Sequence, residues 1–418
     1  MRKITFWLTL ILIFTIPWED SISIAIGTGT SITRLFGLGV AGVWFLTIVI
    51  QGRFQKPTLF HALVVLFFLW SIISYWWTSN LAYGYERVKT YAQIFILMLI
   101  VWEMLQTPDE LMAGLQAYIL GCFIPIASSI NNYLHGTMAE NYEVRFSATG
   151  VNAVDLALFL LLGLPIAWHL FTHTYKKYRI LKIINLAYVP LAVFTVLLTA
   201  SRTSLFAVIP AVIFIAWPKR LDAGRIVLTL VILIFSLILL QALLPASIIQ
   251  RLSSVTTSIS SADIGGRVNL WWSSVNVFTQ HPILGSGSGS LTPLIGSLAH
   301  QTFLSVLAET GLIGFILFAC VLIYVFLEVL KLPEGYLGLW LSTFFVWLIR
   351  VLSLSFEFRK ITWLFFSFMI IQGYTLRKEW QSQKTDLKFS EAEEIPTLDS
   401  AAGSQVLPNF QGEDKGSV

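Results

Sequence analysis

The stretch "QTFLSVLAETGLIGFILFACVLIYVFLEVL", residues 301–330, has only two charged residues, Glu309 and Glu328. The hydrocarbon core of a bilayer is crossed by a helix of roughly 20 apolar residues. Only helices and closed barrels pair every backbone polar group inside lipid. This stretch therefore predicts a membrane-spanning helix.

The rest of the chain has the same character. Of its 418 residues, 56% are hydrophobic and 12% are charged, whereas soluble domains are about 25% charged. Similar apolar runs recur and predict about twelve transmembrane helices. Their cores are residues 4–18, 34–50, 59–77, 88–105, 111–130, 152–171, 181–199, 204–217, 225–245, 301–330, 335–351 and 360–376. The sequence thus predicts an all-α integral membrane protein.

The distribution of positive charge predicts how the chain is oriented. Placing the N-terminus in the cytosol puts most of the 27 lysine and arginine residues on the cytosolic side, as membrane proteins prefer. An even number of spans then leaves both termini in the cytosol. Residues 1–380 form the predicted transmembrane domain, and the polar residues 381–418 predict a disordered cytosolic tail.

Residues 246–300, between the ninth and tenth predicted spans, form a polar loop on the outer side that is long enough to build a site. Within it, "VNLWWSSVNVF" predicts a helix lying in the headgroup layer. Its apolar stripe comprises Val268, Trp271 or Trp272, Val275 and Phe278. Anchoring in an aromatic belt and ligand binding both remain open for these tryptophans. Gly285, Gly287 and Gly289 predict a flexible turn that lets the loop fold back over the site.

The outer side is rich in arginine. The arginines predicted there are Arg34, Arg87, Arg145, Arg202, Arg251, Arg267, Arg350 and Arg359. A guanidinium stays charged and grips phosphate with a planar fork of donors, which predicts an outward-facing phosphate site. The alternative is that the positive-inside rule tolerates some of these arginines on the outer side by chance, and for Arg202 that its side chain reaches lipid headgroup phosphates.

Two of these arginines are the strongest candidates for binding phosphate. Arg202 lies at the predicted start of a span, where the helix dipole is already positive and a bound anion would relieve the repulsion. Arg267 follows two glycines that allow a close approach of the backbone to a ligand. The loop contains one carboxylate, Asp263, which is too few to hold a metal ion. The sequence therefore predicts that arginines stabilise the negative charge of a bound phosphate without a metal or another cofactor.

His300 and Asp155 are the candidate acid–base groups. His300 lies at the predicted N-terminus of the tenth span, where the helix dipole keeps the imidazole neutral and able to accept a proton. A structural role is the alternative. Asp155, near the outer end of the sixth span, is predicted to be a second base or the partner of an arginine. Glu309 falls roughly opposite His300 on the helix, on a face with Thr302, and is predicted to serve packing or a polar contact inside the bundle.

The polar loop also carries a family resemblance. "GGRVNLWWSSVNVFTQHPILGSGSGS" followed by "AHQTFLSVLAETGLIGFILF" resembles the characteristic block of the O-antigen ligase and polymerase family. "TASRTSLFAVIPAVI", residues 199–213, and "RFSATGVNAVDLALFLLLGLPIAW", residues 145–168, are similar to earlier segments of that family. The motif-bearing region spans roughly residues 140–320.

The resemblance implies a metal-independent glycosyltransferase with a GT-C-like fold in the plasma (inner) membrane. Its donor would be a glycan linked to a polyprenyl diphosphate such as undecaprenyl diphosphate, and its acceptor a hydroxyl of a glycan, lipid or protein. The product would be an exopolysaccharide or a lipopolysaccharide, and both polymerase and ligase activities remain open. Other components of polysaccharide export are implied partners, whereas nucleic acid is not.

The resemblance also implies roles for particular residues. The catalytic residues would be His300, Arg267 and Arg202. The substrate-binding residues would be Arg145, Arg251, Asp155, Trp271 and Gln301.

A solute transporter or accessory permease is the alternative that many spans alone would favour. A transporter places ionisable groups near the membrane midplane on several spans. Here such groups cluster at the outer side, and Glu103 and Glu328 fall near the cytosolic ends of their spans. This distribution favours the enzyme.

Overall fold

The computed structural model describes residues 1–20, 32–139, 145–173, 178–216, 245–253 and 267–393, together with the single positions 224, 227, 231 and 234. The chain divides into two compact units, Met1–Gly373 and Tyr374–Val418. All regular secondary structure in these described ranges is helical. The prediction of an all-α protein is therefore confirmed for the described part of the chain.

Fourteen helices have defined bounds within the described residues and are numbered in chain order. They are α1 (Arg2–Thr15), α2 (Ile32–Gln51), α3 (Leu59–Ile73), α4 (Leu81–Met104), α5 (Pro108–Leu134), α6 (Ala153–His173), α7 (Arg179–Leu198), α8 (Arg202–Ala216), α9 (Ala246–Ser253), α10 (Val268–Gln280), α11 (Leu291–Ile295), α12 (Thr302–Leu330), α13 (Glu334–Val351) and α14 (Lys360–Glu393). Short 3₁₀ turns follow α1 and α3, at Ile16–Trp18 and Ser74–Trp77.

Six described segments are long and apolar enough to cross a membrane. They are residues 34–51, 59–77, 108–134, 153–173, 179–198 and 302–330. Helices also occupy the other predicted spans except 225–245, most of which lies outside the described residues. The protein is thus a membrane protein with several apolar helices, while the count of twelve spans stays a prediction. Helix α14 continues through 381–393, where the sequence predicts the start of a disordered tail, and residues 394–418 lie outside the described part.

Helix α6 forms the centre of the bundle. Ninety-four per cent of this span is buried, because it is apolar on all sides and packs against α5, α7, α8 and α13. A helix without a polar face is stable when protein or lipid surrounds it, and protein surrounds this one. The surrounding helices therefore hold the first turn of α6, which carries Asp155, in a fixed position.

The starts of α6, α8, α12 and α14 meet at one end of the bundle, here called the polar end. The starts of α6 and α14 are joined there by an ion pair between Asp155 and Arg359. The start of α12 is tied to the segment after α13, because Thr302 donates to the carbonyl of Leu354 at 2.7 Å. The polar end thus brings together segments that are far apart in the sequence.

The glycine-rich loop, residues 281–290, packs tightly at the polar end. The amide of Gly287 donates to the carbonyl of Glu309 at 2.9 Å. Gly285 has φ +75°, and a Cβ there would lie 2.4 Å from the same carbonyl. Gly311, with φ +66°, interrupts the regular geometry of α12 beside this loop. The loop is thus a packed element held by backbone hydrogen bonds, in contrast to the flexible turn that its glycines predict.

Candidate functional site

Among the described residues, the segments that carry predicted site residues are joined by Arg350, near the end of α13. Its guanidinium is fully buried. Nη1 donates to the hydroxyls of Ser201 at 3.2 Å, Thr203 at 2.5 Å and Ser204 at 2.9 Å. Nη2 donates to the carbonyl of Val154 at 2.6 Å. Arg350 therefore ties the start of α8 to the start of α6.

Arg202 lies within the segment that Arg350 holds. It is the first residue of α8, as the sequence predicts, and its chain neighbours Ser201 and Thr203 are both bonded to Arg350. Its side chain is partly buried. The backbone that bears Arg202 is thus fixed by a second arginine, Arg350, whose role was not predicted.

Arg267 joins the same network from the other side. It immediately precedes α10, and Nη1 donates to the carbonyl of Ser353 at 2.7 Å. The hydroxyl of Ser353 in turn donates to that of Thr203 at 3.1 Å. Hydrogen bonds therefore connect the region of Arg267 to the segment that carries Arg202.

His300 lies in a strained turn before α12. Its φ of +52° is unusual for a residue with a side chain and costs of order 1–3 kcal/mol. Burial, and secondly the positive charge of Arg267, lower the pKa of its imidazole to about 4. This lowered pKa favours the neutral ring at neutral pH, and its causes are burial and Arg267 rather than the helix dipole from which the sequence predicted it. The helix itself begins two residues later, at Thr302.

Asp155 is buried in the first turn of α6 and pairs with an arginine. One of its carboxylate oxygens accepts a hydrogen bond from Arg359 at 2.9 Å. It also interacts electrostatically with Arg267 and Arg350. Of the two roles that the sequence leaves open, this geometry favours the partner of an arginine. Arg202, Arg267, Arg350, His300 and Asp155 are here called the arginine cluster.

The other predicted substrate-binding residues lie in different settings. Arg145 is in the segment before α6, where the next residue, Phe146, donates its amide to Leu198 at the end of α7. Gln301 is the N-cap of α12, and its side chain accepts a hydrogen bond from the amide of Leu304.

Trp271 and Arg251 were also predicted to bind substrate. Trp271 is half-buried on α10, and its Nε1 is buried with no hydrogen-bond partner among the described residues. Its neighbour Trp272 is 69% exposed, so Trp271 is the one on the inward stripe. Arg251 falls in α9, but its side chain lies outside the described part of the structure.

A second buried group of charges at the polar end was not predicted as a unit. Arg87, in α4, pairs with Glu309 at 3.2 Å and with Glu357 at 3.1 Å. Its guanidinium lies 3.8 Å from the centre of the Phe358 ring. The second oxygen of Glu309 accepts the amide of Gly289 at 3.0 Å. Glu309 is therefore the polar contact inside the bundle that the sequence predicts, and it also anchors the glycine-rich loop.

The sequence contains a signal for the two groups of contacts that were not predicted, those of Arg350 and those of Arg87. Arg87, Arg350 and Glu309 are charged residues on largely apolar helices, and such residues are costly in lipid unless they have a partner or a function. Their partners, however, come from segments that the sequence does not place beside them. Among the described residues, no group of three or more His, Cys, Asp or Glu side chains is placed to hold a metal ion.

Comparison with curated proteins finds no significant match. One family model matches a segment of the chain. The matched segment contains Arg202, Arg267 and His300, whereas Asp155 and Arg350 lie outside it. The match supports a glycosyltransferase-type role at a membrane in the assembly of polysaccharide or lipopolysaccharide. Residues 187–319 match the model described as O-antigen ligase, and this match confirms the resemblance of the chain to the O-antigen ligase and polymerase family.

Proposed function

We propose that this protein transfers or polymerises glycan from a polyprenyl-diphosphate-linked donor onto an acceptor hydroxyl at the outer face of the plasma membrane. The observation that carries the proposal is the arginine cluster. Hydrogen bonds link Arg267 and Arg350 to the segment that carries Arg202, and His300 and the buried Asp155 interact with these arginines electrostatically. The polar end is then the outer end of the bundle. Twelve spans, a GT-C-like fold and cytosolic termini are parts of this proposal.

The diphosphate of the donor binds at Arg202 and Arg267. Among the described residues, Arg350 has no carboxylate within ion-pair distance, and its hydrogen bonds go to hydroxyls and a carbonyl. The five residues of the cluster include three arginines and one carboxylate, and that carboxylate, Asp155, also pairs with Arg359, so positive charge exceeds negative charge among these five residues. An excess of fixed positive charge stabilises a diphosphate leaving group as its negative charge grows. The arginines therefore supply this charge in a metal-independent reaction.

His300 acts as the general base. The acceptor oxygen attacks the anomeric carbon of the donor, the bond between that carbon and the phosphate oxygen breaks, and its electron pair leaves with the diphosphate. The acceptor proton passes to the imidazole of His300. A histidine must be unprotonated to act as a base, and the lowered pKa of His300 favours that form. A bound diphosphate raises that pKa, because a nearby negative charge favours imidazolium, so the ring becomes a better base once the donor is present.

The glycans of cells that lack this gene test the proposal. The cells are complemented with the wild type, Arg267→Ala, His300→Ala or the control His281→Ala, whose side chain is exposed in the neighbouring loop. We expect the null strain and both site variants to accumulate polyprenyl-diphosphate-linked glycan and to lose the mature product. The control should restore it. The chain length of the restored product separates a polymerase from a ligase.

Two outcomes would contradict the proposal. Unchanged glycans and unchanged lipid-linked intermediates in the null strain would exclude the transferase and leave the transporter alternative. Full activity of Arg267→Ala and His300→Ala, at expression levels equal to the wild type, would show that the cluster takes no part in the reaction.

A further inference from the structure

A cavity of about 350 Å³ opens at the polar end, beside the arginine cluster. It lies between the segment after α1, one face of α4 and the segment that joins α13 to α14. Pockets for small ligands range from about 300 to 1,000 Å³, so the cavity is large enough for part of a substrate. Leu298, two residues before His300, lines it, and so does Arg359, the partner of Asp155. The cavity is therefore adjacent to the proposed reaction centre.

The cations that line this cavity are all engaged in ion pairs. They are Arg34, Arg87, Arg359 and Lys360. Arg34 and Lys360 both pair with Glu19. Arg359 pairs with Asp155 and with Asp20, and Arg87 pairs with the two buried glutamates described above. The cavity thus has many donors and acceptors but little unbalanced positive charge, which is a poor match for a diphosphate.

Four uncharged polar side chains line the cavity, and one of them, Thr90, donates its hydroxyl to the carbonyl of Glu86 at 2.7 Å. The other three are Tyr83, Gln93 and Thr292. Within the described part of the chain, the side chains of these three residues make no hydrogen bonds to protein. A hydroxyl both donates and accepts a hydrogen bond, and an amide offers both kinds of group at separate atoms. The cavity therefore presents unused groups of both kinds to a ligand.

We propose that this cavity binds the sugar residues of the glycan substrate, while the diphosphate binds separately at the arginine cluster. A neutral sugar has a hydroxyl on most of its carbons, so it needs closely spaced donors and acceptors and gains little from net charge. The paired ions and the free side chains of the cavity provide this arrangement. The inference rests on the proposed function and adds to it a subsite for the glycan.

The test compares a glycan-bearing donor with a sugar-free lipid diphosphate. The donor is the lipid-linked glycan extracted from cells that lack the gene, and the competitor is a polyprenyl diphosphate. Purified Gln93→Leu, Thr292→Val and Tyr83→Phe are assayed for transfer. Each removes hydrogen-bonding capacity at nearly constant size, so we expect the KM for the glycan substrate to rise about threefold to tenfold per variant. Inhibition by the polyprenyl diphosphate should remain unchanged.

A matched control is available on the same helix. Tyr85 is 59% exposed and does not line the cavity, whereas Tyr83, two residues earlier, does. Tyr85→Phe should therefore retain the wild-type KM. A rise in the KM of the donor alone places the donor glycan in the cavity, and a rise in the KM of the acceptor alone places the acceptor there. Either result supports the proposal.

The outcome that overturns the proposal is a wild-type KM for both substrates in all three cavity variants. This failure is distinct from that of the proposed function, in which the wild-type protein transfers no glycan and polyprenyl diphosphate has no effect. A KM that rises equally for Tyr83→Phe and Tyr85→Phe would also overturn it, because the effect would then not depend on the cavity.

Discussion

Two polar regions at the same end of the bundle differ in whether their positively charged side chains are paired with carboxylates. In the arginine cluster, Arg350 is bonded to hydroxyls and a carbonyl, and Asp155 is shared with Arg359. In the cavity, every lining cation has a carboxylate partner, and Arg87 has two. The difference separates two kinds of recognition, because unbalanced charge suits an anionic diphosphate and balanced charge suits a neutral glycan.

The boundary between the two regions is the ion pair between Asp155 and Arg359. Asp155 belongs to the arginine cluster, whereas Arg359 lines the cavity. The two parts of a lipid-linked glycan are covalently joined, so their binding regions must be neighbours. At this boundary Asp155 neutralises Arg359, so the excess positive charge lies on the side of the arginine cluster.

The largest expected effect is on turnover in the arginine cluster. His300→Ala removes the group that accepts the proton, and loss of a general base costs about 10²- to 10⁴-fold in rate. Inhibition by polyprenyl diphosphate should remain, because the arginines are intact. Rates and inhibition constants of the purified variant test this, with His281→Ala as the control. Loss of inhibition in a folded His300→Ala protein would make His300 a contact of the donor instead of a base.

The next effect tests charge pairing on the cavity side. Arg87→Met leaves Glu309 and Glu357 buried without their cation, and breaking a buried pair in this way costs about 3–5 kcal/mol. Thermal unfolding in detergent should therefore show a marked loss of stability. Adding Glu309→Gln and Glu357→Gln to Arg87→Met should restore part of it. If the triple variant is less stable than Arg87→Met alone, the charges are not balanced as described.

The helices are the part of this fold that the sequence predicts well. Lipid demands apolar runs of a certain length, so the position of α6 or α12 is visible without tertiary information. The partners of charged side chains are a different matter. Arg350 bonds to Ser201 and Val154, which lie far away in the sequence, and only the packing of α13 against α6 and α8 brings them together.

The glycine-rich loop illustrates the second limit. Positive φ angles and close backbone contacts both call for glycine, and so does a flexible turn. The sequence alone does not distinguish these cases. The structure does, because Gly285 and Gly311 lie where a side chain would collide with the facing backbone.

A smaller effect tests the geometry of the arginine cluster. Arg202→Lys keeps the positive charge but loses the planar fork of donors that suits phosphate. We expect the KM for the donor to rise about tenfold, as for the loss of one charge-assisted hydrogen bond. Arg2→Lys is the matched control, because Arg2 pairs with Glu110 far from the polar end. A donor KM equal to the wild type in Arg202→Lys would argue against bidentate binding of the diphosphate.

The smallest expected effect is a shift in the midpoint of the acid limb of the pH–rate profile. It depends directly on the excess of positive charge in the arginine cluster. Because the pKa of His300 is about 4, the rate at low donor concentration should persist as the pH falls from 7 to about 5 and decline only as it approaches 4. Part of the lowering comes from the positive charge of Arg267, which disfavours imidazolium. Arg267→Gln should therefore move the midpoint of the acid limb to higher pH, towards the ordinary value for histidine.

This measurement uses the midpoint of the profile rather than its height, so the lower activity expected of Arg267→Gln does not obscure it. An Arg34→Gln variant provides the comparison, because Arg34 lines the cavity and is paired with Glu19. Its midpoint should stay near that of the wild type. If both variants move the midpoint equally, the positive charge is distributed over the whole polar end, and the division into a charged site and a balanced cavity is wrong.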